Sequence, residues 1–423
     1  MRGKRRWLEW GKDMAIVLLS LSAIYLLTMT PLVQDSGLLS GEDALPEGGG
    51  SGTVTLTAAA YPSRIAVNTQ NGRYGVQYNQ TQVDSLFAQT GPLLGEALIS
   101  AGEAAHVDET QWQEYLQSPG IYFDFSGQIP LSALGSWLQP GGECVLSGAA
   151  RRLVLAQGAN GQVLLGYQES SGDFYVCTTE LSVALHLEPV VEGMEENGAQ
   201  FAFESEQLSQ LLDPYTLITE EVSAQVYSVS TPLSSGGNLS WLLEALSFNG
   251  QNHTSVSGGE AFLEEETRLE VRSDGTVIYR AAQEGKYPVA HSGQEPTLAE
   301  MIETVRKLAE DTVGARCGAA RLHLISAEET EDGWQILFGY QLDGGSVWLY
   351  EEGWAAQFLI RDGYVSDFTL HFRSYTATGQ QALMLPMERA AVMLPALTDQ
   401  RRELVMQYRD QGEEEVSPIW VAQ

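Results

Sequence analysis

The residues best suited to move a proton or hold a metal near neutral pH are six histidines, His106, His186, His253, His291, His323 and His371. They are scattered. None belongs to an H-E-x-x-H helix that would put two imidazoles on one zinc ion. His323 and His371 alternate with apolar residues in strand-like runs, which reads as solvent-facing or internally satisfied side chains rather than ligands. Three cysteines, Cys144, Cys177 and Cys317, are too few for a disulfide framework and lack the paired spacing of a zinc site. Free buried thiols are expected, with one Cys144–Cys177 bond as the alternative in an oxidising compartment; an odd count leaves at least one thiol unpaired within a monomer. No G-x-S-x-G elbow and no Ser-x-x-Lys pair occurs, so two common serine-acylation layouts lack their local signatures.

Carboxylates are so abundant that any two could be cast as general acid and base, and abundance alone selects none of them. Glu264-Glu265-Glu266 and Glu413-Glu414-Glu415 read as solvated runs beside strands, and Asp362 to Asp367 lacks the spaced oxygen ligands of a calcium loop. No Gly-rich phosphate cradle joins a strand to a helix. The sequence therefore assigns no catalytic residue, no cofactor and no metal. A site assembled from distant residues would escape this search.

The elements that would position any such site are short strands and amphipathic helices. Asn71-Gly72, Asn160-Gly161, Asp274-Gly275, Asp332-Gly333, Asp343-Gly344 and Asp362-Gly363 all lie close to β-formers. Each is a hairpin signal, because Gly tolerates the positive φ of a tight turn and Asn or Asp tolerates it at the preceding position. One helix is expected from Val83, with a break at Gly91-Pro92 and a continuation from Leu93 to Ala101. A second starts at Pro296 and gathers Leu298, Met301, Ile302, Val305 and Leu308 on one face, with Glu300, Glu303 and Lys307 on the other. Shorter helices are expected from Pro386 to Leu397, interrupted at Pro395, and around Trp241, Leu242, Leu243 and Leu246. The stretches Leu269 to Gly275 and Phe358 to Gly363 echo one another, each a strand, an arginine and an Asp-Gly turn.

The amino terminus has a different character. Arg2, Lys4, Arg5 and Arg6 run through Trp7 and Trp10 into Met14 to Val33, twenty residues without a charge. At about 1.5 Å per residue that stretch spans about 30 Å, the thickness of a bilayer's hydrocarbon core. Basic residues stay on the cytoplasmic side, so residues 1–13 should face in and Gln34 onward should face out. A cleaved secretory signal is the competitor; the apolar run is long for one, and no A-x-A site directly follows it. Residues 34–60, with Gly48-Gly49-Gly50-Ser51-Gly52, read as a flexible tether. Beyond the tail there are 18 basic and 53 acidic residues, a charge that repels nucleic-acid phosphates and anionic lipid surfaces.

The expected architecture is thus α+β: one transmembrane helix, then two or three extracytoplasmic domains of antiparallel sheets with packed helices. The length past the anchor exceeds what one core usually organises. We place the joins near Thr231-Pro232 and Gly318, giving segments 61–230, 231–317 and 318–423.

Several stretches resemble the YycH/YycI family of membrane-anchored regulators of a two-component sensor kinase. They are Pro62-Ser63-Arg64-Ile65-Ala66-Val67, Ile121-Tyr122-Phe123-Asp124-Phe125 with Ile129-Pro130-Leu131, Arg151-Arg152-Leu153-Val154-Leu155, Val405-Met406-Gln407-Tyr408 and Ser417-Pro418-Ile419-Trp420-Val421. The first half is nearer the YycH branch. The resemblance implies PepSY-like α+β units in the two later segments. It also implies a non-enzymatic role in cell-envelope signalling, with a sensor histidine kinase, and a paralogous regulator, as partners in the membrane. Small residues permit close helix packing in lipid, which makes Ala15, Ser20, Ser22 and Ala23 the candidate contact positions. The runner-up reading is an anchored envelope hydrolase acting on glycan or peptide; a scaffold or soluble-ligand receptor is the third.

Overall fold

The protein is described by a computed structural model over residues 58–69, 72–219, 222, 224–233, 238–289, 295–393 and 402–423. The cytoplasmic tail, the apolar stretch Met14–Val33 with Ala15, Ser20, Ser22 and Ala23, His291, and most of the tether lie outside the described residues. Among the described residues no helix is long and apolar enough to cross a membrane. The last three tether residues, Ala58–Ala60, already form a short 3-10 turn, with Ala59 and Ala60 buried.

The first sheet is antiparallel and seven-stranded. Its strands are β1 (Arg64–Asn68), β2 (Tyr74–Gln77), β3 (Ala105–Val107), β4 (Gly120–Pro130), β5 (Ala149–Gln157), β6 (Gln162–Glu169) and β7 (Phe174–Ser182), in spatial order β2-β1-β4-β5-β6-β7-β3. Helices α1 (Gln80–Ile99), α2 (Glu109–Gln117) and α3 (Leu131–Leu138) lie in the connections. The expected break in α1 does not occur; the helix runs through Pro92. The residue before a proline avoids the helical region largely because its Cβ meets the proline ring, and Gly91 has none.

A two-stranded pair, β8 (Gln200–Phe201) with β9 (Leu217–Ile218), leads to the second half. There β10 (Gln225–Ser230) precedes helix α4 (Ser240–Ala245) and strands β11 (His253–Val256), β12 (Gly259–Glu264), β13 (Thr267–Arg272) and β14 (Thr276–Ala281). Helix α5 (Leu298–Asp311) opens on a capping box made by Thr297 and Glu300, and buries Met301, Ile302 and Val305 as its periodicity predicts. Then come β15 (Arg321–Thr330), β16 (Gly333–Leu342), β17 (Gly345–Leu349), β18 (Ala356–Arg361), β19 (Tyr364–His371) and β20 (Ser374–Gln381). Helix α6 (Met387–Met393), β21 (Leu404–Asp410), β22 (Glu415–Val416) and β23 (Pro418–Ala422) complete the chain.

Strands β11 to β19 with β21 and β23 form one eleven-stranded sheet, in which β15 pairs with β16 off the main path. Its pairing is antiparallel except for β17 with β21, a parallel contact that brings the carboxy-terminal hairpin onto the sheet. Strand pairing crosses both expected joins: β10 pairs with β20 and β22, and β14 pairs with β19. The echoing hairpins, β13–β14 and β18–β19, lie side by side through that β14–β19 pair. All six Asx-Gly turns fall between strands that pair with each other, with Gly275 at φ 93° and Gly363 at φ 79°.

One apolar core, from Ala59 to Val416, runs through both large sheets. The sheets come closest at Gly127 of β4. A Cβ there would sit 2.6 Å from the Ile325 carbonyl oxygen of β15 and closer still to that of Leu324. Only glycine lets the two backbones approach in this way.

Candidate functional site

Arg64, Asp124 and Arg152 stand opposite one another across β1, β4 and β5. A carboxylate is thus set between two guanidiniums by strand register alone. Arg151 is the next residue to Arg152, and in a regular strand it would point to the other face. The register of β5 against β6 slips between Ala150 and Arg152. Such an irregularity re-aims side chains, and both arginines reach the same acid.

That acid is Glu403, just before β21. Its Oε1 accepts from Arg64 Nη2 at 3.1 Å and Arg151 Nη2 at 2.8 Å, and its Oε2 from Arg151 Nη1 at 2.7 Å and Arg152 Nη2 at 2.9 Å. Asp124 accepts from Arg151 Nε at 2.9 Å and from Arg64. Asp124 is 1% exposed, Arg152 6% and Glu403 7%, so these charges sit in a low dielectric. Burial pushes the Glu403 carboxyl up, and the guanidiniums of Arg151, Arg152 and Arg64 outweigh it, holding the group well below the ordinary carboxylate range. A third carboxylate, Asp213, meets Arg152 at 3.1 Å from a more open position. The backbone of Glu403 also pairs with that of Gln423 in both directions, at 3.0 and 2.9 Å. The network therefore clamps the carboxy-terminal hairpin to the first sheet.

Beside it lies a cavity of about 60 Å³, bounded by Arg64 and Tyr78 from the first sheet's side and by Ser346, Met406 and Trp420 from the second. Burial pushes the Tyr78 hydroxyl up to about 12 against the opposing pull of Arg64 and of the Thr219 hydroxyl. A second buried ion pair braces the same hairpin: Arg373 Nε and Nη2 donate to Asp410 at 2.8 and 2.7 Å, and Tyr375 Oη donates to Asp410 at 2.9 Å.

The histidines and thiols occupy structural places. His323 is 5% exposed and stands opposite Gly339, whose missing side chain leaves room for the ring. Burial pushes its imidazole down to about 3, and Nδ1 has no partner. His371 is likewise buried, with Nε2 unpartnered and Nδ1 3.4 Å from Thr276 Oγ1. Both are thus enclosed with a ring nitrogen lacking a partner, rather than solvent-facing or satisfied as their strand alternation suggested. Cys144, Cys177 and Cys317 are all free, and burial pushes the Cys177 and Cys317 thiols up to about 11. Glu264, Glu265 and Glu266 line an open polar cleft of about 1010 Å³, where Lys286 binds Glu264 at 2.5 Å. No cluster of three metal-ligating side chains occurs among the described residues.

No local motif marks the Glu403 network, because its members are up to 339 residues apart. The signal that was present is the resemblance itself, whose stretches contain Arg64, Asp124, Arg151 and Arg152.

No family model matches this chain, and no curated protein does. Among solved structures, the chain is similar to the crystal structure of YycH from Bacillus subtilis, with a TM-score of 0.53 and 10% identity, over 88% of this chain and 95% of that one. The fold is therefore YycH-like, a mixed α+β arrangement dominated by antiparallel sheets.

Proposed function

We propose that this protein is a membrane-anchored accessory regulator that binds a sensor histidine kinase and adjusts its signalling in cell-envelope control. One observation carries the reading: a YycH-like fold extends over 88% of the chain. In this reading residues 1–13 stay in the cytoplasm, Met14–Val33 crosses the membrane and residues 34–57 tether the acidic folded body outside. An outer body that binds the kinase differently in its two signalling states shifts the population between them. Ala15, Ser20, Ser22 and Ala23 are the positions through which the two membrane helices would pack.

The test is crosslinking in intact cells with a photoreactive group at Ser20 or Ser22, followed by identification of the captured protein. A histidine kinase should be recovered, and deletion of the regulator should change that kinase's output. Capture of no kinase, together with unchanged output on deletion, would reject the proposal.

A further inference from the structure

We propose that the cavity between the two sheets is a binding site for a small oxyanion, a carboxylate or phosphate held by Arg64 and Tyr78. This goes beyond the regulator reading and does not depend on it. Arg64 is only 9% exposed, and its partners, Asp124 and Glu403, both engage the same terminal nitrogen, Nη2. Its Nε and Nη1 have no partner among the described residues. Neither nitrogen is sealed from water, so both N–H groups are free to donate to whatever occupies the space beside them. Arg64 borders the cavity, and the buried Tyr78 hydroxyl, also on its wall, is a further donor.

Ser346 adds a hydroxyl that has no partner among the described residues, while Ser126 Oγ, also on the wall, already accepts from Gln341 Nε2 at 2.6 Å. The one carboxylate side chain at the wall, Asp343, accepts from the Gln225 N–H at 3.0 Å and lies against the Tyr227 and Tyr408 hydroxyls. It is occupied from its own side. What remains unengaged around the cavity is a set of donors: guanidinium N–H groups and two hydroxyls.

Two waters would fit about 60 Å³. A bound anion differs from them in satisfying donors without bringing donors of its own, and charge-assisted bonds from arginine to an oxyanion are about twice as strong as neutral ones. A volume of this size admits acetate or phosphate and excludes a sugar or a nucleotide. The wall is shared by Arg64 and Tyr78 on one side and Ser346 and Trp420 on the other, so an occupant would join the two sheets.

The experiment uses the full-length chain, titrated calorimetrically with inorganic phosphate and separately with acetate, each against sodium chloride of matched ionic strength. Saturable binding of either anion, with a rise in melting temperature that chloride does not give, is expected. Tyr78→Phe keeps the buried ring and removes only the hydroxyl, so it should still fold, and it should weaken binding about fivefold. Ser346→Ala is the second variant and should weaken binding in the same direction. No response beyond the chloride control would overturn the proposal and leave a water-filled cavity. So would binding that both variants leave unchanged, which would mark an adventitious ion only.

Discussion

Glu403 is the residue on which most of the buried charge depends. Three guanidiniums converge on it, so Glu403→Ala strands them in a low dielectric, and the expected loss is about 3–5 kcal/mol in a urea denaturation series. Its carboxyl is depressed in the folded state from an ordinary value of 4.5. The stability it contributes is therefore present above pH 4.5 and falls away as acidification proceeds below that value. His323 behaves similarly in a different window. Its folded value is about 3 against an ordinary 6.5. Below pH 6.5 the unfolded chain takes up a proton that the folded chain refuses, and stability drops progressively toward pH 3. Denaturation midpoints measured from pH 7 to pH 4 should decline in the parent and decline less in His323→Leu. An identical pH profile for that variant would show that His323 is accessible to protons in the folded state.

At the scale of elements, the closest approach between sheets is made by Gly127. Gly127→Ala pushes a methyl into the backbone of β15, where no flexible side chain can yield. A loss of about 1–3 kcal/mol or more is expected, read as a lower melting temperature. Thr297→Ala removes the cap of α5 and should cost only about 1 kcal/mol, which makes it a useful control for the larger effect. Much at this scale was legible in the sequence. The Asx-Gly pairs marked the hairpins because positive φ is a local demand, and α5 declared itself through its 3.6-residue apolar period. The parallel contact of β17 with β21 had no such local mark, since it joins strands separated by a helix and several turns. The Glu403 network was hidden for the same reason: its geometry follows from register and a strand irregularity, which no motif records.

The whole molecule carries a formal charge of −32. Repulsion among like charges opposes the compact state and is felt over about 30 Å in 0.01 M salt but only about 8 Å at 0.15 M. The urea midpoint should therefore rise between those two salt concentrations; a falling midpoint would mean that attractive pairs such as Arg373–Asp410 dominate the surface field as well as the interior. The same charge is consistent with a body that meets cationic or neutral partners rather than nucleic acid. For the proposed anchor, fractionation of cells should place the full-length chain in the membrane pellet, with residues beyond Gln34 open to protease added from outside.

Arg64 and Glu403 meet across 339 residues. During biosynthesis the arginines of the first sheet are made long before Glu403, and until it arrives three guanidiniums face only two carboxylates, Asp124 of β4 and Asp213. The closing hairpin acts as a late-arriving key: a nascent polypeptide lacking it stays loose enough to be threaded. A stop codon placed after Met393 should yield a protease-sensitive product even though all seven strands of the first sheet are present.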